Sequence, residues 1–140
     1  MTSSPVGIVD AGPLIAAVDG LDRNHRNVVV LFNDRRWRWV VPALCVAEAA
    51  HIIEKKYGPA TGANFLLSLG ALEVLAPLRE EWGRIAELVR QYADFPIGGT
   101  DASIVTLAER LDTDTILTLD RRHFGAIRPR HREVLRLLPE

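Results

Sequence analysis

Two acidic side chains of this chain follow segments that predict buried strands. Asp10 directly follows the apolar segment 6–9, and Asp120 directly follows the β-prone segment 115–119. Short apolar runs of this kind are typical of strands that are buried on both faces. In an open parallel sheet, ligands bind in the crevice beyond the carboxyl ends of the strands. We therefore expect both carboxylates to face the same crevice.

Two further acids lie on predicted helices. Glu48 interrupts a helical stretch whose residues one turn away are Leu44 and Ile52, which predicts a core-facing position for its carboxylate. No Lys or Arg stands three or four positions from Glu48, and an unpaired acid among apolar side chains is costly. Asp101 lies at the start of the helix predicted over 100–111 and is followed by apolar residues three, four and seven positions later. Both acids are thus expected to adjoin apolar faces.

Each acid alone has an ordinary structural interpretation. An Asp after a strand is commonly a turn or helix-capping residue, and an Asp in a first helical turn complements the helix dipole. If the four acids converge, their repulsion raises their pKa values unless a cation lies between them. A hard divalent cation with oxygen ligands, Mg²⁺ or Mn²⁺, suits such a site. It would activate a bound water and neutralise charge on a phosphoryl oxygen, so phosphodiester hydrolysis is the reaction that fits best.

The composition is that of an ordinary globular protein. The chain is 48% hydrophobic and 25% charged, which excludes disordered, collagen-like and coiled-coil classes, and its 140 residues predict a single domain over 1–140. No apolar stretch approaches the roughly 20 residues of a membrane span, and segment 1–5 lacks the basic start of a secretory signal. Cys45 is the only cysteine, so no intrachain disulfide or multi-cysteine zinc site can form. These features predict a cytoplasmic protein without membrane contact.

The pattern of apolar residues predicts the elements that position the acids. Strands are expected over 6–9, 39–41, 72–75, 115–119 and 134–138. Helices are expected after Pro13 and over 24–32, 43–56, 59–68, 79–92 and 100–111. Thr100 is the expected cap of the last helix, and the amphipathic segment 79–92 carries Trp82, Ile85, Ala86 and Val89 at helical spacing. Alternating strands and helices predict an α/β fold with a mainly parallel sheet.

Positive charge is concentrated near the end of the chain. Residues 121–140 contain six arginines and two glutamates, a net charge of +4, whereas the whole chain carries −1. Arg121 and Arg122 directly follow Asp120, so they either contact a substrate phosphate or belong to a solvated turn. The arginines over 128–132 either bind phosphates as well or form a solvated surface.

Four segments in order resemble the PIN-domain nucleases, and specifically the small VapC-type toxins of toxin–antitoxin modules. The matching segments are 8–14, 41–48, 99–102 and 118–124, which contain the four acids. Their order, their spacing and the total length agree with the family, so the resemblance covers essentially the whole chain. One departure is Gly12-Pro13, where many relatives carry Ser or Thr.

The resemblance implies a Mg²⁺- or Mn²⁺-dependent ribonuclease with a three-layer α/β/α fold that usually forms a homodimer. Asp10 and Asp101 match the direct metal ligands, Glu48 and Asp120 match acids that complete the pocket, and Thr118 matches a polar residue that lines it. The resemblance also implies a partner antitoxin whose C-terminal tail blocks the acidic pocket. The helical pair 43–56 and 59–68 is expected to form the apolar groove for that tail.

Two other functions stay open on the sequence. In a non-catalytic PIN-like interaction module the acids would be structural and the chain would hold a partner. In a metal nuclease of the RNase H-like type a similar acidic cluster would act on hybrids or DNA. Metal-dependent cleavage of RNA separates the first alternative from an enzyme, and substrate profiling separates the second.

Overall fold

Five short strands form one sheet. The computed structural model describes residues 3–140, and its strands are β1 (Val6–Val9), β2 (Arg38–Pro42), β3 (Glu73–Leu75), β4 (Thr115–Leu117) and β5 (Arg136–Leu138). Neighbouring strands are all parallel, in the order β3-β2-β1-β4-β5. In the central strand β1, Ile8 lies opposite Val40 of β2 and Ile116 of β4. The predicted parallel sheet is confirmed.

Helices cover both faces of this sheet. In the described part of the chain they are α1 (Ala11–Val18), α2 (His25–Phe32), α3 (Ala43–Tyr57), α4 (Pro59–Ser68), α5 (Trp82–Gln91), α6 (Gly99–Arg110) and α7 (Arg121–Ala126). Crossovers between parallel strands are right-handed, so connections that step from β1 towards β3 and those that step back towards β5 cover opposite faces. The fold is therefore the predicted three-layer α/β/α arrangement. Within residues 3–140, no helix is both long enough and apolar enough to cross a membrane.

The sheet has a switch point between β1 and β4. The chain passes from β1 to β2 on one side of the sheet and from β4 to β5 on the other. Such a reversal opens a crevice at the carboxyl ends of the two strands. Asp10 directly follows β1 and Asp120 lies three positions after the end of β4, so both acids reach this crevice as expected.

The base of β1 is held by an aromatic contact that requires glycine. A Cβ atom at Gly7 would overlap the six-membered ring of Trp39. Trp39 donates its indole N–H to the carbonyl of Leu31 at 2.8 Å and stacks on Trp37 with 5.0 Å between ring centroids. This contact fixes β1, the strand that directly precedes Asp10.

Two strands are each two residues shorter than the sequence predicts. β4 ends at Leu117 because the hydroxyl of Thr118 accepts the backbone N–H of Asp120 at 2.9 Å and turns the chain. β5 begins only at Arg136, and Val134, expected inside this strand, is 57% exposed.

Two predictions about the helices are wrong. Helix α6 begins at Gly99 with Gly98 at the N-cap position, so Thr100 lies inside the first turn, where its carbonyl accepts from Ser103. The second wrong prediction is the apolar face of α5, whose buried residues are Ile85 and Leu88.

The apolar face of α5 is rotated relative to the predicted one. Trp82, Ala86 and Val89 are all exposed. Arg84 donates two hydrogen bonds of 2.9 and 2.8 Å to the carboxylate of Glu109 on α6. This ion pair turns the Arg84 side of α5 towards its neighbour, and the Trp82 side therefore faces away.

Candidate active site

The four acids singled out from the sequence line one pocket at the switch point. The pocket has a volume of about 450 Å³. Asp10 follows β1, Glu48 lies on α3, Asp101 in the first turn of α6, and Asp120 at the N-cap of α7. The other lining residues are Ala11, Gly12, Ile15, Leu119 and His123. Four elements that are distant in sequence thus bring their carboxylates together.

Asp10 is the most deeply placed of these acids. The residue is 8% exposed, and its two carboxylate oxygens accept the backbone N–H of Ala11 at 2.7 Å and the hydroxyl of Thr118 at 2.8 Å. Asp10 therefore caps α1 and also faces the pocket. Burial raises its pKa above the ordinary value, while the bonds from Thr118 and Ala11 act in the opposite direction.

Hydrogen bonds connect Asp10 to α7 through Thr118. The Thr118 hydroxyl donates to Asp10 and accepts the backbone N–H of Asp120. Asp120 in turn accepts the backbone N–H of His123 at 3.1 Å, and its other oxygen lies 2.6 Å from Nδ1 of the same residue. An ionised carboxylate can only accept, so the imidazole Nδ1–H donates. Asp120 is thus held in place from both sides.

Asp101 carries the largest perturbation of the cluster. Its carboxylate is 21% exposed and lies 3.7 Å from Nδ1 of His123. Burial, followed by the negative charge of Asp10, raises the pKa of Asp101 from 3.8 to about 6. At neutral pH this group is ionised at a cost, which a nearby cation would remove.

Glu48 reaches the pocket from an exposed position, so the prediction that it faces the core is wrong. The core face of α3 is formed by Cys45, Ala49 and Ile53, one position away from the predicted stripe. Partial burial and the charge of Asp10 still raise the pKa of Glu48. Burial also raises the pKa of the Cys45 thiol, which keeps it protonated behind the pocket.

The donor set of the pocket suits a hard divalent cation. All four acidic groups offer oxygen ligands, and three of them have raised pKa values. Within residues 3–140, no group of three His, Cys, Asp or Glu side chains forms a ready-made metal cage. Mg²⁺ commonly binds one or two protein carboxylates and keeps several waters, so a site with few direct ligands fits this ion.

Two side chains beside the pocket are not among the site residues that the sequence predicts, although His123 belongs to the segment 121–123 that follows Asp120. His123 lines the pocket and contacts Asp120 directly. Phe95, in the loop before α6, packs edge-on against the His123 ring with 5.2 Å between centroids. The spacing of Asp120 and His123, three positions apart at a predicted strand end, is the one sequence signal that could have suggested a capping contact.

Three of the six arginines over residues 121–140 are paired with acids. The pairs are Arg130 with Glu87 at 2.9 Å, Arg132 with Asp112 at 2.8 Å and Arg136 with Glu140 at 3.4 Å. Arg121 donates to the carbonyl of Pro139 at 2.9 Å. Arg122 is exposed and donates no hydrogen bond within the described residues, and its guanidinium carbon lies 5.2 Å from the ring centroid of Phe95. The positively charged surface beside the pocket is therefore smaller than the net charge of +4 over residues 121–140 indicates.

An apolar groove lies on the helical layer that follows β1. It has a volume of about 650 Å³. Leu14 of α1, Phe32 of α2 and Phe65 of α4 line it. The groove therefore lies between α4 and the first two helices rather than between α3 and α4. Those two helices pack too closely, since a Cβ atom at Gly62 would lie 3.3 Å from Glu54.

Comparison with known proteins identifies the family. The family model "PIN domain" matches residues 8–128. The chain is 36% identical to ribonuclease VapC26 of Mycobacterium tuberculosis over 124 residues, which cover 87% of this chain and 92% of that protein.

Three solved structures of similar fold, each from a different bacterium, are compared with this chain. The M. tuberculosis toxin VapC20, described as cleaving the sarcin–ricin loop, matches with a TM-score of 0.76 and 10% identity over 84% of this chain and 91% of its own. VapBC2 of Rickettsia felis, solved with a promoter DNA fragment, matches with a TM-score of 0.69 and 16% identity over 94% and 98%. A toxin–antitoxin complex of Klebsiella pneumoniae matches with a TM-score of 0.67 and 15% identity over 86% and 92%. With its sequence match, its parallel sheet and its acids at the switch point, the chain belongs to the PIN-domain family and is related to the VapC ribonucleases.

Proposed function

We propose that this protein is an endoribonuclease that depends on Mg²⁺ or Mn²⁺ and acts as the toxin of a toxin–antitoxin pair. The observation that carries the proposal is the convergence of four carboxylates from four separate elements on one pocket. The carboxylates of such a cluster repel one another when no cation is bound, whereas a bound divalent cation removes this repulsion and can support hydrolysis. The relationship to ribonuclease VapC26 supplies the class of substrate.

The four acids divide between two proposed roles. Asp10 and Asp101 hold the metal, and Glu48 and Asp120 complete its surroundings. A bound Mg²⁺ or Mn²⁺ supplies a Lewis acid that lowers the pKa of water and neutralises phosphoryl charge. Thr118 fixes the carboxylate of Asp10 through its 2.8 Å hydrogen bond.

Arg121 and Arg122 are proposed to bind the RNA phosphates beside the pocket. They directly follow Asp120 in α7, whereas three of the four arginines nearer the C-terminus are paired with acids. Without such cations the negative pocket would repel the substrate.

Cleavage assays on defined oligonucleotides test this activity. Purified wild type should cut single-stranded RNA with Mg²⁺ or Mn²⁺ and lose this activity in EDTA, while Asp10→Asn and Asp101→Asn should be inactive and folded. Asp94→Asn, which changes an exposed acid outside the pocket, should remain fully active. Preferential cleavage of RNA–DNA hybrids or DNA would favour the RNase H-like alternative. An absence of cleavage at every metal concentration would favour an interaction module.

The proposed partner is an antitoxin encoded next to this chain. Its C-terminal tail would occupy the groove lined by Leu14, Phe32 and Phe65, and a basic side chain would enter the acidic pocket. Expression of the chain alone in the cytoplasm should arrest growth, and co-expression of the neighbouring gene should restore it. Asp10→Asn should be harmless alone and still co-purify with that neighbour, since the groove is unchanged.

We also propose that residues 1–140 act as one domain and that the free protein is a homodimer. Light scattering during size-exclusion chromatography measures the mass directly. A mass equal to the 15.5 kDa of one chain at micromolar concentration would contradict the dimer.

A further inference from the structure

Phe95, Arg122 and His123 form a compact group at the rim of the acidic pocket. The His123 ring lines the pocket and meets the Phe95 ring edge-on at 5.2 Å. The Arg122 guanidinium lies over the Phe95 ring at 5.2 Å. Phe95 is half-buried, and its backbone N–H is tied to the carbonyl of Tyr92 at 3.0 Å. The aromatic ring is thus fixed one side chain away from the acids.

Arg122 differs from most arginines in this part of the chain. Arg130, Arg132 and Arg136 are paired with carboxylates, and Arg121 donates to a backbone carbonyl. Within residues 3–140, the guanidinium of Arg122 donates no hydrogen bond, although Phe95 positions it by a cation–π contact. Its N–H donors are therefore both oriented and available to a ligand.

We propose that Phe95 and Arg122 form a subsite for an unpaired nucleotide next to the phosphate that is cleaved. Arg122 donates to the phosphate of this nucleotide, and the nucleobase stacks on the Phe95–Arg122 pair. This inference rests on the proposed ribonuclease function and extends it, since it specifies single-stranded RNA with an unstacked base at this position. Aromatic rings and guanidinium planes are the surfaces on which proteins stack such bases.

The guanidinium of Arg122, unpaired within residues 3–140, favours an anionic ligand such as RNA over a basic protein tail at this rim. The pocket that His123 lines contains four carboxylates, so an anionic substrate approaches it only where cations compensate. Arg122 offers free donors at the rim of this pocket. The apolar groove that suits a protein tail is lined by α1, α2 and α4 instead.

Binding measurements in an inactive background test the subsite. The parent is full-length Asp101→Asn, and the probe is a fluorescein-labelled single-stranded RNA followed by anisotropy over a range of salt concentrations. Adding Phe95→Leu keeps the apolar volume but removes the ring face, and should weaken binding about tenfold. Adding Arg122→Gln should also weaken binding and reduce the salt slope by about 0.7, as expected for one lost phosphate contact.

Three controls make the result specific. Phe95→Trp keeps an aromatic face and should bind like the parent. Arg26→Gln removes the same charge from an exposed position on α2 and should change neither affinity nor slope. An RNA with abasic residues should bind the parent and Phe95→Leu equally, because the ring then has no base to stack on.

Each outcome decides between the subsite and its alternatives. If the parent binds RNA, wild type cleaves it, and Phe95→Leu has no effect, the subsite is wrong and the ribonuclease proposal stands. If Phe95→Leu weakens binding of the purified antitoxin but not of RNA, the group is a protein contact and the subsite is overturned. If no single-stranded RNA binds the parent or is cut by wild type, both proposals fail. Thermal melting of Phe95→Leu close to that of the parent excludes a folding defect as the cause of weaker binding.

Discussion

Asp101→Asn should stabilise the metal-free protein at neutral pH and leave it almost unchanged in acid. The pKa of Asp101 is raised from 3.8 to about 6 in the folded protein, chiefly by burial and by the charge of Asp10. The folded state therefore holds this proton more tightly than the unfolded state. The free energy of unfolding must fall as the pH rises from about 4 to about 6, and the loss is complete above about pH 6.

The size of the stabilisation by Asp101→Asn follows from the pKa shift of Asp101. One pKa unit corresponds to about 1.4 kcal/mol, so the difference between 3.8 and about 6 sets a ceiling of about 3 kcal/mol. The carboxylate is 21% exposed, and solvent screening reduces the gain to about 1–3 kcal/mol. For a chain of this length, that corresponds to a rise in Tm of roughly 3–9 °C at pH 7.5.

Asp10→Asn should gain less stability than Asp101→Asn, although Asp10 is more buried than Asp101. Both of its carboxylate oxygens accept hydrogen bonds, from Ala11 at 2.7 Å and from Thr118 at 2.8 Å. An amide offers one oxygen and one NH₂ group, so one of these donors loses its acceptor. A buried donor left without a partner costs about 1–3 kcal/mol, which offsets the relief of repulsion.

Thermal melting in EDTA at pH 4.5 and pH 7.5 measures these differences. Asp94→Asn is the matched control, because it removes the same charge from an exposed loop and should give the same Tm as wild type at both pH values. A Tm of Asp101→Asn that is below wild type at pH 7.5, or raised equally at both pH values, would refute the reasoning from burial and repulsion.

Three further predictions concern the metal, His123 and Gly7. Mg²⁺ or Mn²⁺ should bind the folded state and raise the Tm of wild type; at a metal concentration one hundred times the Kd, the added stability is about 2.7 kcal/mol. Neither ion should raise the Tm of Asp101→Asn. Equal melting of wild type with and without metal would contradict the site. His123→Ala should weaken Mn²⁺ binding, measured by calorimetry, because Asp120 loses its 2.6 Å contact with the imidazole. The amide of His123→Asn can replace the Nδ1–H donor, so this variant should recover part of the affinity. An equal loss of affinity in both variants would assign the effect to the imidazole ring instead. Gly7→Ala should destabilise the fold by about 1–3 kcal/mol in denaturant unfolding because its Cβ meets Trp39, whereas Gly20→Ala, with open space around it, should change stability by less than about 1 kcal/mol.

The sequence predicts the acids at strand ends more accurately than the acid on the long helix. Asp10 and Asp120 could be assigned to one crevice because parallel strands end at the same edge of a sheet. The face of Glu48 depends instead on which stripe of α3 packs against the sheet. Cys45, Ala49 and Ile53 form that stripe, and the segment 43–53 is so uniformly apolar that its spacing does not select one face.

Contacts that join distant parts of the chain could not be predicted from local pattern. The +4 charge of residues 121–140 indicates a basic segment, yet Arg130 pairs with Glu87 and Arg132 with Asp112. The same is true of α5, whose orientation is fixed by an ion pair to α6 rather than by its own apolar spacing. The two residues of each ion pair are distant in sequence, so the pairs can be identified only from the folded structure.

The structural and functional interpretations of the pocket acids are compatible. Asp10 caps α1 and Asp120 caps α7, as an Asp after a strand commonly does. Each cap uses a carboxylate oxygen that accepts a backbone N–H, and this bond aims the carboxylate at the switch point. Within residues 3–140, the carboxylate of Asp101 accepts no such bond, and its pKa is raised to about 6. The caps thus fix two carboxylates in the crevice, whereas the charge of Asp101 is the least compensated by the protein and is the one that a bound cation would stabilise most.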